Sequence, residues 1–205
     1  MPDPKKLFLR CVAVGFGALS LGAAPAQAEG FDGLEILPEP FVREENPGLL
    51  DAAGSAVPLS GAPVTVLNFW ATWCAPCVAE LPTLIALDKA LGDRGLRVVA
   101  ASLDRSFEQI GGFWQQQGWG DALEVGLDDG GALFRSFSSD TLGARGVPYT
   151  AILDAEGAVV SWFVGDTDWA GEAALAYFNG LLDDCLLYTS PSPRDVEESR
   201  MPSSA

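Results

Sequence analysis

Two cysteines, Cys74 and Cys77, are separated by two residues at the point where an apolar run ends and a helical segment begins. The first backbone N–H groups of a helix have no partner within the helix, and the positive end of the helix dipole lies there. Both effects favour a thiolate, and such a position lowers a cysteine pKa from about 8.5 to roughly 3.5–7.5. We therefore predict that Cys74 is an attacking thiolate and that Cys77, one turn deeper, displaces whatever Cys74 has bound.

The other cysteines do not extend this pair into a larger disulfide framework. Of the four cysteines in the chain, Cys11 lies in an N-terminal apolar stretch and Cys185 in an atypical C-terminal tail. A disulfide between Cys74 and Cys77 closes so short a loop that it removes little chain entropy from the unfolded state. We therefore interpret the pair as a redox-active disulfide rather than a structural staple.

The elements that must position this pair are predicted from hydrophobic periodicity and turn residues. In chain order, we predict a hairpin over residues 49–59, a buried strand over 64–70, a helix kinked by Pro82 that runs to about Gly92, a strand over 96–103, a helix over 107–117, a short strand over 123–127, a helical segment over 130–138, a hairpin of strands 149–153 and 159–164, and a helix over 169–182 capped by Asp168. Crossover helices followed by a hairpin predict an α/β fold, with a central mixed β-sheet flanked by helices on both faces.

Both ends of the chain are predicted to lie outside the domain of residues 48–184. Residues 1–28 combine a basic flank, a short apolar run and Ala26-Gln27-Ala28, which predicts a secretory signal peptide; an uncleaved membrane anchor is the alternative. Residues 29–47 are acidic and interrupted by three prolines, and we predict an extended lead-in rather than a packed element. Residues 185–205 back-translate into pieces of a sequencing adaptor, so we interpret them as a translated adaptor sequence that is disordered; a natural Ser/Pro-rich tail is the alternative.

Charge and composition exclude several classes of function. The formal net charge of −16 repels nucleic acid, so we expect no nucleic-acid partner. The chain contains no histidine, which argues against a zinc site and against copper chaperones that pair a dithiol with a histidine ligand. Two thiolates alone could still hold Cu(I) weakly. We expect no metal and no cofactor apart from the Cys74–Cys77 disulfide.

Three motifs together resemble a known family. Residues 68–77, NFWATWCAPC, are followed by Glu80-Leu81-Pro82; residues 146–150, GVPYT, precede an apolar strand; and residues 165–169 precede the last helix. This pattern resembles the TlpA, ResA and CcmG (DsbE) branch of the thioredoxin superfamily and is most similar to TlpA. The resemblance implies a thioredoxin-like fold with an N-terminal β-hairpin and a small α/β insertion.

The resemblance also implies roles for residues around the dithiol. Pro148 aligns with the family's cis-proline, and the backbone of Val147 would pair with an extended substrate strand. Trp73 and Pro76 would contribute to the substrate-binding surface beside the cysteines. Asn68 departs from the general thioredoxin pattern, which has a buried aspartate there to take the proton of the resolving cysteine.

An asparagine cannot accept a proton at neutral pH, and the resemblance to this branch implies that Glu80 takes the role of proton acceptor instead. Glu80 follows Cys77 by one helical turn on the same face of the helix. The alternative is a solvated helix glutamate without a catalytic role.

From the predicted signal peptide and the resemblance together, we expect an exported, monomeric thiol:disulfide oxidoreductase of the periplasm. Its partners would be disulfide-bearing periplasmic clients in cytochrome c or cytochrome oxidase biogenesis, and a membrane dithiol electron donor would return it to the reduced form. The alternative is a non-catalytic module that uses the same groove to hold a partner or Cu(I).

Overall fold

A central mixed sheet organises the chain. The computed structural model describes residues 30–43 and 47–189, with side chains up to residue 184. The strands in this part of the chain are β1 (Glu35–Phe41), β2 (Leu49–Leu50), β3 (Ala56–Val57), β4 (Val64–Trp70), β5 (Leu96–Ser102), β6 (Glu124–Leu127), β7 (Tyr149–Leu153) and β8 (Val159–Val164). The helices are α1 (Ala75–Leu91), α2 (Phe107–Gln117), α3 (Ala132–Ser136) and α4 (Glu172–Thr189).

The strand order is β1-β8-β7-β4-β5-β6-β2-β3, which places β4 inside the sheet. Strand β4 pairs in parallel with β5 and antiparallel with β7. All seven residues of β4 are buried, as its continuous apolar run predicted. The predicted mixed α/β sheet with an N-terminal hairpin, β2–β3, is therefore confirmed.

Two apolar cores cover the two faces of the sheet because successive side chains of a strand point in opposite directions. Val66 and Trp70 of β4 belong to the first core, which also contains Cys74, Cys77 and the buried leucines of α1. Leu67 and Phe69 belong to the second core, together with Tyr149 and the buried residues of α3 and its neighbouring loops. The dithiol is therefore anchored in the core beneath α1.

The predicted lead-in is wrong in one respect, because part of it is a packed strand. Strand β1 pairs antiparallel with β8 at the edge of the sheet, with an irregularity between Ile36 and Phe41. Phe31, just before this strand, packs against Phe163 and Trp169 with ring centroids 5.7 Å apart in both cases. An edge strand tolerates the prolines that the sequence analysis treated as breakers, because one side of it makes no ladder hydrogen bonds.

The last helix also differs from its prediction at both ends. It begins at Glu172, three residues later than predicted, because a turn closed by the hydrogen bond from Gly171 N–H to the Asp168 carbonyl precedes it. Asp168 therefore lies in this turn and does not cap α4. The helix continues to Thr189, so the expectation of disorder is wrong for residues 185–189.

The remaining predictions for the chain ends cannot be placed in the fold. The predicted signal peptide, residues 1–28, and the tail beyond residue 189 lie outside the described residues. Within the residues that the structure describes, no helix combines the length and the apolar character needed to cross a bilayer.

Candidate active site

The cysteine pair lies at the junction between β4 and α1. Cys74 is the N-cap of α1, with an extended backbone at φ −95° and ψ 96°, and Pro76 occupies the first turn. The Cys77 N–H donates a hydrogen bond to Cys74 Sγ at 3.3 Å, as expected for a sulfur at the start of a helix. The two residues form a disulfide with an S–S distance of 1.99 Å and a Cα–Cα distance of 5.3 Å.

The two sulfurs differ in their access to solvent. Cys74 is 6% exposed, whereas Cys77 is completely buried within the first core. Of the two residues, only Cys74 retains any contact with solvent. This asymmetry fits the predicted division between an attacking and a resolving thiol.

The loop that carries Cys74 is held by a buried carboxylate that the sequence analysis missed. Asp104 accepts hydrogen bonds from the N–H of Thr72 at 2.9 Å and from its hydroxyl at 2.8 Å. Ser102 and Gln109 donate to the same carboxylate. Its position in the sequence could have indicated this role, because Asp104 lies two residues beyond the carboxyl end of β5, which is parallel to β4.

The surface beside Cys74 is apolar and open. Trp73 is 67% exposed, and Ala75 and Pro76 are exposed next to it. Trp70, only three residues earlier, is completely buried and packs against Trp114 with ring centroids 5.5 Å apart. Trp70 is therefore a core residue, while Trp73 presents a flat apolar face to solvent.

The predicted cis-proline loop lies against the same core. The peptide bond between Val147 and Pro148 is cis, as predicted. Pro148 is buried, and its carbonyl accepts a hydrogen bond from the N–H of Gly165 at 3.0 Å. Val147 is half-buried and packs against the cluster that contains Cys74 and Cys77. The cis-proline loop therefore packs against the same core that contains the two cysteines.

Glu80 is buried, so the alternative of a solvated helix glutamate is wrong. Its side chain lies on the inner face of α1 and is 2% exposed. Asn68 Nδ2 donates to Glu80 Oε1 at 2.8 Å, and the indole N–H of Trp169 donates to Oε2 at 3.0 Å. The N–H of Thr167 also approaches Oε2, at 3.4 Å. Asn68 and Trp169 are partners that sequence reasoning did not assign to Glu80.

The surroundings of Glu80 hold its pKa near neutrality. Burial raises the pKa from 4.5 to about 7, and the nearby Asp166 carboxylate adds to the increase. The hydrogen bonds from Trp169, Asn68 and Thr167 oppose the increase, since they stabilise the anion. A carboxyl group with such a pKa can both accept and release a proton at physiological pH.

The site contains few groups that could hold a metal or cofactor. Among the described residues, no three His, Cys, Asp or Glu side chains converge on a common point suited to a metal ion. The soft ligands at the site are the two cysteine sulfurs, which are joined to each other.

The fold and the dithiol at the start of α1 define a thioredoxin-like protein. The Redoxin family model matches residues 47–176, and the chain belongs to this family. It is 29% identical over 100 residues to the thiol-disulfide oxidoreductase ResA of Bacillus thuringiensis, covering 49% of this chain and 54% of ResA. It is 27% identical over 135 residues to the thiol:disulfide interchange protein HelX of Rhodobacter capsulatus, covering 63% of this chain and 71% of HelX.

Solved structures agree with these relatives. A structure of a DsbE-type thiol:disulfide interchange protein from Chlorobium tepidum matches with a TM-score of 0.59 and 25% identity, covering 70% of this chain and 98% of that protein. The predicted resemblance to the TlpA, ResA and CcmG (DsbE) branch is thereby confirmed. The chain spans about half the length of the ResA relatives that it matches.

Proposed function

We propose that this chain is an exported thiol:disulfide oxidoreductase that reduces disulfides of periplasmic proteins. The observation that carries the proposal is the Cys74–Cys77 disulfide at the N-terminus of α1, with the buried carboxyl group of Glu80 one turn further on. The names of the relatives ResA and HelX support the reaction class.

The first step uses the reduced dithiol. The Cys74 thiolate attacks one sulfur of a client disulfide, forming a Cys74–client disulfide and releasing the other client sulfur as a thiolate, which takes up a proton. The unpaired N–H groups of the first turn of α1 stabilise the Cys74 anion before the attack. Cys74 is the cysteine of the pair that retains some exposure, at 6%, so it is the one that a client sulfur would approach.

The second step releases the client. Cys77 transfers its thiol proton to Glu80 and attacks Cys74 Sγ, so that the Cys74–Cys77 disulfide forms and the second client sulfur leaves as a thiolate that takes up a proton. Two electrons have then passed from the dithiol to the client. A carboxyl group with a pKa of about 7 is matched to this transfer, because it holds the proton only briefly at neutral pH.

The surface around Cys74 suits an extended polypeptide. Trp73 and Pro76 offer an exposed apolar face beside the attacking sulfur. The backbone of Val147, before the cis-proline Pro148, would pair with a client strand on the other side. The chemistry uses no cofactor beyond the cysteine pair. Both reacting sulfurs belong to one chain, so the proposed active form is a monomer.

The proposal includes the cellular setting. The clients would be proteins of cytochrome c or cytochrome oxidase assembly, and a membrane dithiol would reduce the Cys74–Cys77 disulfide after each cycle. The direction is tested by a redox titration against glutathione. Potentials in this superfamily run from about −270 mV in thioredoxin to about −120 mV in DsbA, and a value near the DsbA end would make the protein an oxidant.

Cysteine variants test the activity. Cys74→Ser and Cys77→Ser should each abolish the reduction of insulin by dithiothreitol-regenerated protein, and Cys185→Ser is the matched control that should keep full activity. Cys77→Ala should trap clients as mixed disulfides, whereas Cys74→Ala should not. Tight Cu(I) binding without insulin reduction would contradict the proposal and favour the binding module.

A further inference from the structure

The two oxygens of Glu80 face two chemically different donors. Oε2 accepts from the indole N–H of Trp169 at 3.0 Å, and Oε1 accepts from the carboxamide Nδ2 of Asn68 at 2.8 Å. Both contacts suit a carboxylate, which only accepts hydrogen bonds. When the carboxyl group takes up a proton, the protonated oxygen becomes a donor that faces another donor. The site must therefore rearrange on protonation.

The indole of Trp169 cannot take part in that rearrangement. An indole nitrogen donates and never accepts, so a proton on Oε2 would face another hydrogen. Trp169 is completely buried and is packed by Phe31, Phe163 and Phe178, so its ring has no room to turn away. Oε2 therefore remains an acceptor in both protonation states, and the proton belongs on Oε1.

Asn68, by contrast, carries the acceptor that a protonated Oε1 needs. No group among the described residues donates a hydrogen bond to its buried side-chain oxygen, Oδ1. In the observed orientation the unpartnered Oδ1 costs about 1–3 kcal/mol. A half-turn of the carboxamide exchanges Oδ1 and Nδ2 and brings Oδ1 against Glu80. The half-turn removes that cost but moves Nδ2 away from its two acceptors, so it is favoured only once protonated Oε1 needs an acceptor.

Thr150 accommodates both orientations of this carboxamide. Its hydroxyl accepts from Asn68 Nδ2 at 2.9 Å, and Asn68 and Thr150 are directly opposite each other on β4 and β7. A hydroxyl group can donate as well as accept, so Thr150 can donate to Oδ1 after the half-turn. Neither strand has to move for the exchange.

We propose that Asn68 is a positioning residue that responds to the protonation of Glu80. Its carboxamide donates to the Glu80 carboxylate, and it rotates by half a turn to accept a hydrogen bond from Oε1 when Glu80 is protonated. The inference rests on the proposed function of Glu80 as the proton acceptor of Cys77. Trp169 holds Oε2 throughout, so each proton enters and leaves at Oε1. An aspartate at position 68 could not do this at neutral pH, because two carboxylates in contact would compete for one proton.

Among the described residues, the groups around Glu80 do not provide another acceptor for this proton. The neighbour from β4 is the neutral side chain of Asn68, which is bonded in turn to the neutral hydroxyl of Thr150 on β7. The loop before α4 contributes the N–H groups of Thr167 and Trp169 and the more distant charge of Asp166, which raises the pKa of Glu80 without a hydrogen bond to it. The oxidised cysteines do not titrate.

NMR on the full oxidised chain, labelled with ¹³C and ¹⁵N, tests the inference without any variant. The Glu80 carboxyl carbon reports its protonation, and nuclear Overhauser contacts from the Asn68 amide protons report the orientation. At about pH 9 these protons should contact Thr150 and Glu80, and at about pH 5 both contacts should be lost. The pH midpoint of this loss should equal the midpoint of the Glu80 titration. Contacts that persist while Glu80 titrates, or a Glu80 that does not titrate in this range, would overturn the inference.

A matched pair of tryptophan variants tests the coupling. Trp169→Phe keeps an aromatic ring but removes the donor to Oε2. The pH midpoint of the Glu80 titration and that of the change in the Asn68 contacts should therefore rise together by about one pH unit. Trp162→Phe, which removes an indole N–H bonded to the Thr141 carbonyl, should move neither. Separate movement of the two midpoints would contradict the coupling.

The inference and the proposed function fail in different experiments. If insulin reduction is normal but the Asn68 contacts do not change with pH, the inference alone is rejected. An orientation that follows Glu80 in a chain without reductase activity would reject the proposed function alone.

Discussion

The carboxylate of Asp104 holds Thr72 by two hydrogen bonds, one from the backbone N–H at 2.9 Å and one from the hydroxyl at 2.8 Å. Thr72 lies two residues before Cys74, so this contact fixes the chain just before the attacking sulfur. Asp104 is itself buried, and Ser102 and Gln109 also donate to it. The carboxyl end of β5 thereby holds the loop that presents the dithiol.

Asp104→Asn should therefore destabilise the protein. The amide places a donor against the groups that now donate to the carboxylate, so we expect a loss of about 2–3 kcal/mol in the free energy of unfolding. Urea denaturation measures it. Asp121→Asn, at an exposed position, is the control and should change stability by less than about 0.5 kcal/mol. Equal stabilities would show that the Asp104 contacts contribute little.

Glu80→Gln should slow the release of the client. Without a proton acceptor for Cys77, the mixed disulfide should accumulate and its resolution should slow by about 10²-fold at neutral pH, whereas the first attack by Cys74 should be nearly unchanged. Quenched-flow measurement with a disulfide peptide separates the two steps. Glu108→Gln on the exposed side of α2 is the matched control. An unchanged resolution rate would exclude the proton-transfer role.

Glu80 should also make stability depend on pH. Because folding raises its pKa from 4.5 to about 7, the stability it contributes is complete below pH 4.5 and is lost as the pH rises through about 7. The unfolding free energy of the wild type should fall by roughly 3 kcal/mol more than that of Glu80→Gln across this range. Asp88 and Asp154, whose pKa values burial also raises, contribute equally to both proteins. Their contributions cancel when the Glu80→Gln curve is subtracted from that of the wild type. Parallel stability curves would contradict the raised pKa.

Trp73 and Trp70 should behave oppositely when truncated. Trp70→Ala removes a completely buried side chain and should cost about 3–5 kcal/mol of stability. Trp73→Ala removes an exposed side chain, so stability should change by less than about 0.5 kcal/mol. Its effect should instead be a higher KM for insulin, because the apolar face beside Cys74 is lost. An unchanged KM would remove Trp73 from the client-binding surface.

Phe31→Ala tests the packing of the N-terminal segment. The ring contacts Phe163 and Trp169 and is half-buried, so its loss should cost about 2 kcal/mol in urea denaturation. Val42→Ala, at a residue that is 76% exposed, should have no measurable effect. If both variants matched the wild type, the segment before β1 would be dispensable for stability.

Local patterns predicted much of the fold because they reflect local physics. The continuous apolar run of β4 predicted a strand buried on both faces, and the alternation in β7 and β8 predicted their hairpin. Strand β1 was missed because its two prolines argue against a strand in general, although an edge strand accepts them. Whether a strand lies at an edge depends on which neighbour it pairs with, here β8.

The sequence by itself determined the redox dithiol. Two cysteines that follow a buried strand and begin a helix are activated by the backbone N–H groups next to them, and that arrangement is local. Only the tertiary structure decided the state of Glu80. Its burial and its hydrogen bonds come from Asn68 on β4 and from Trp169, which is 89 residues away in the chain. Desolvation and hydrogen-bond direction depend on what packs around a side chain, and the helical periodicity around Glu80 carries no information about either.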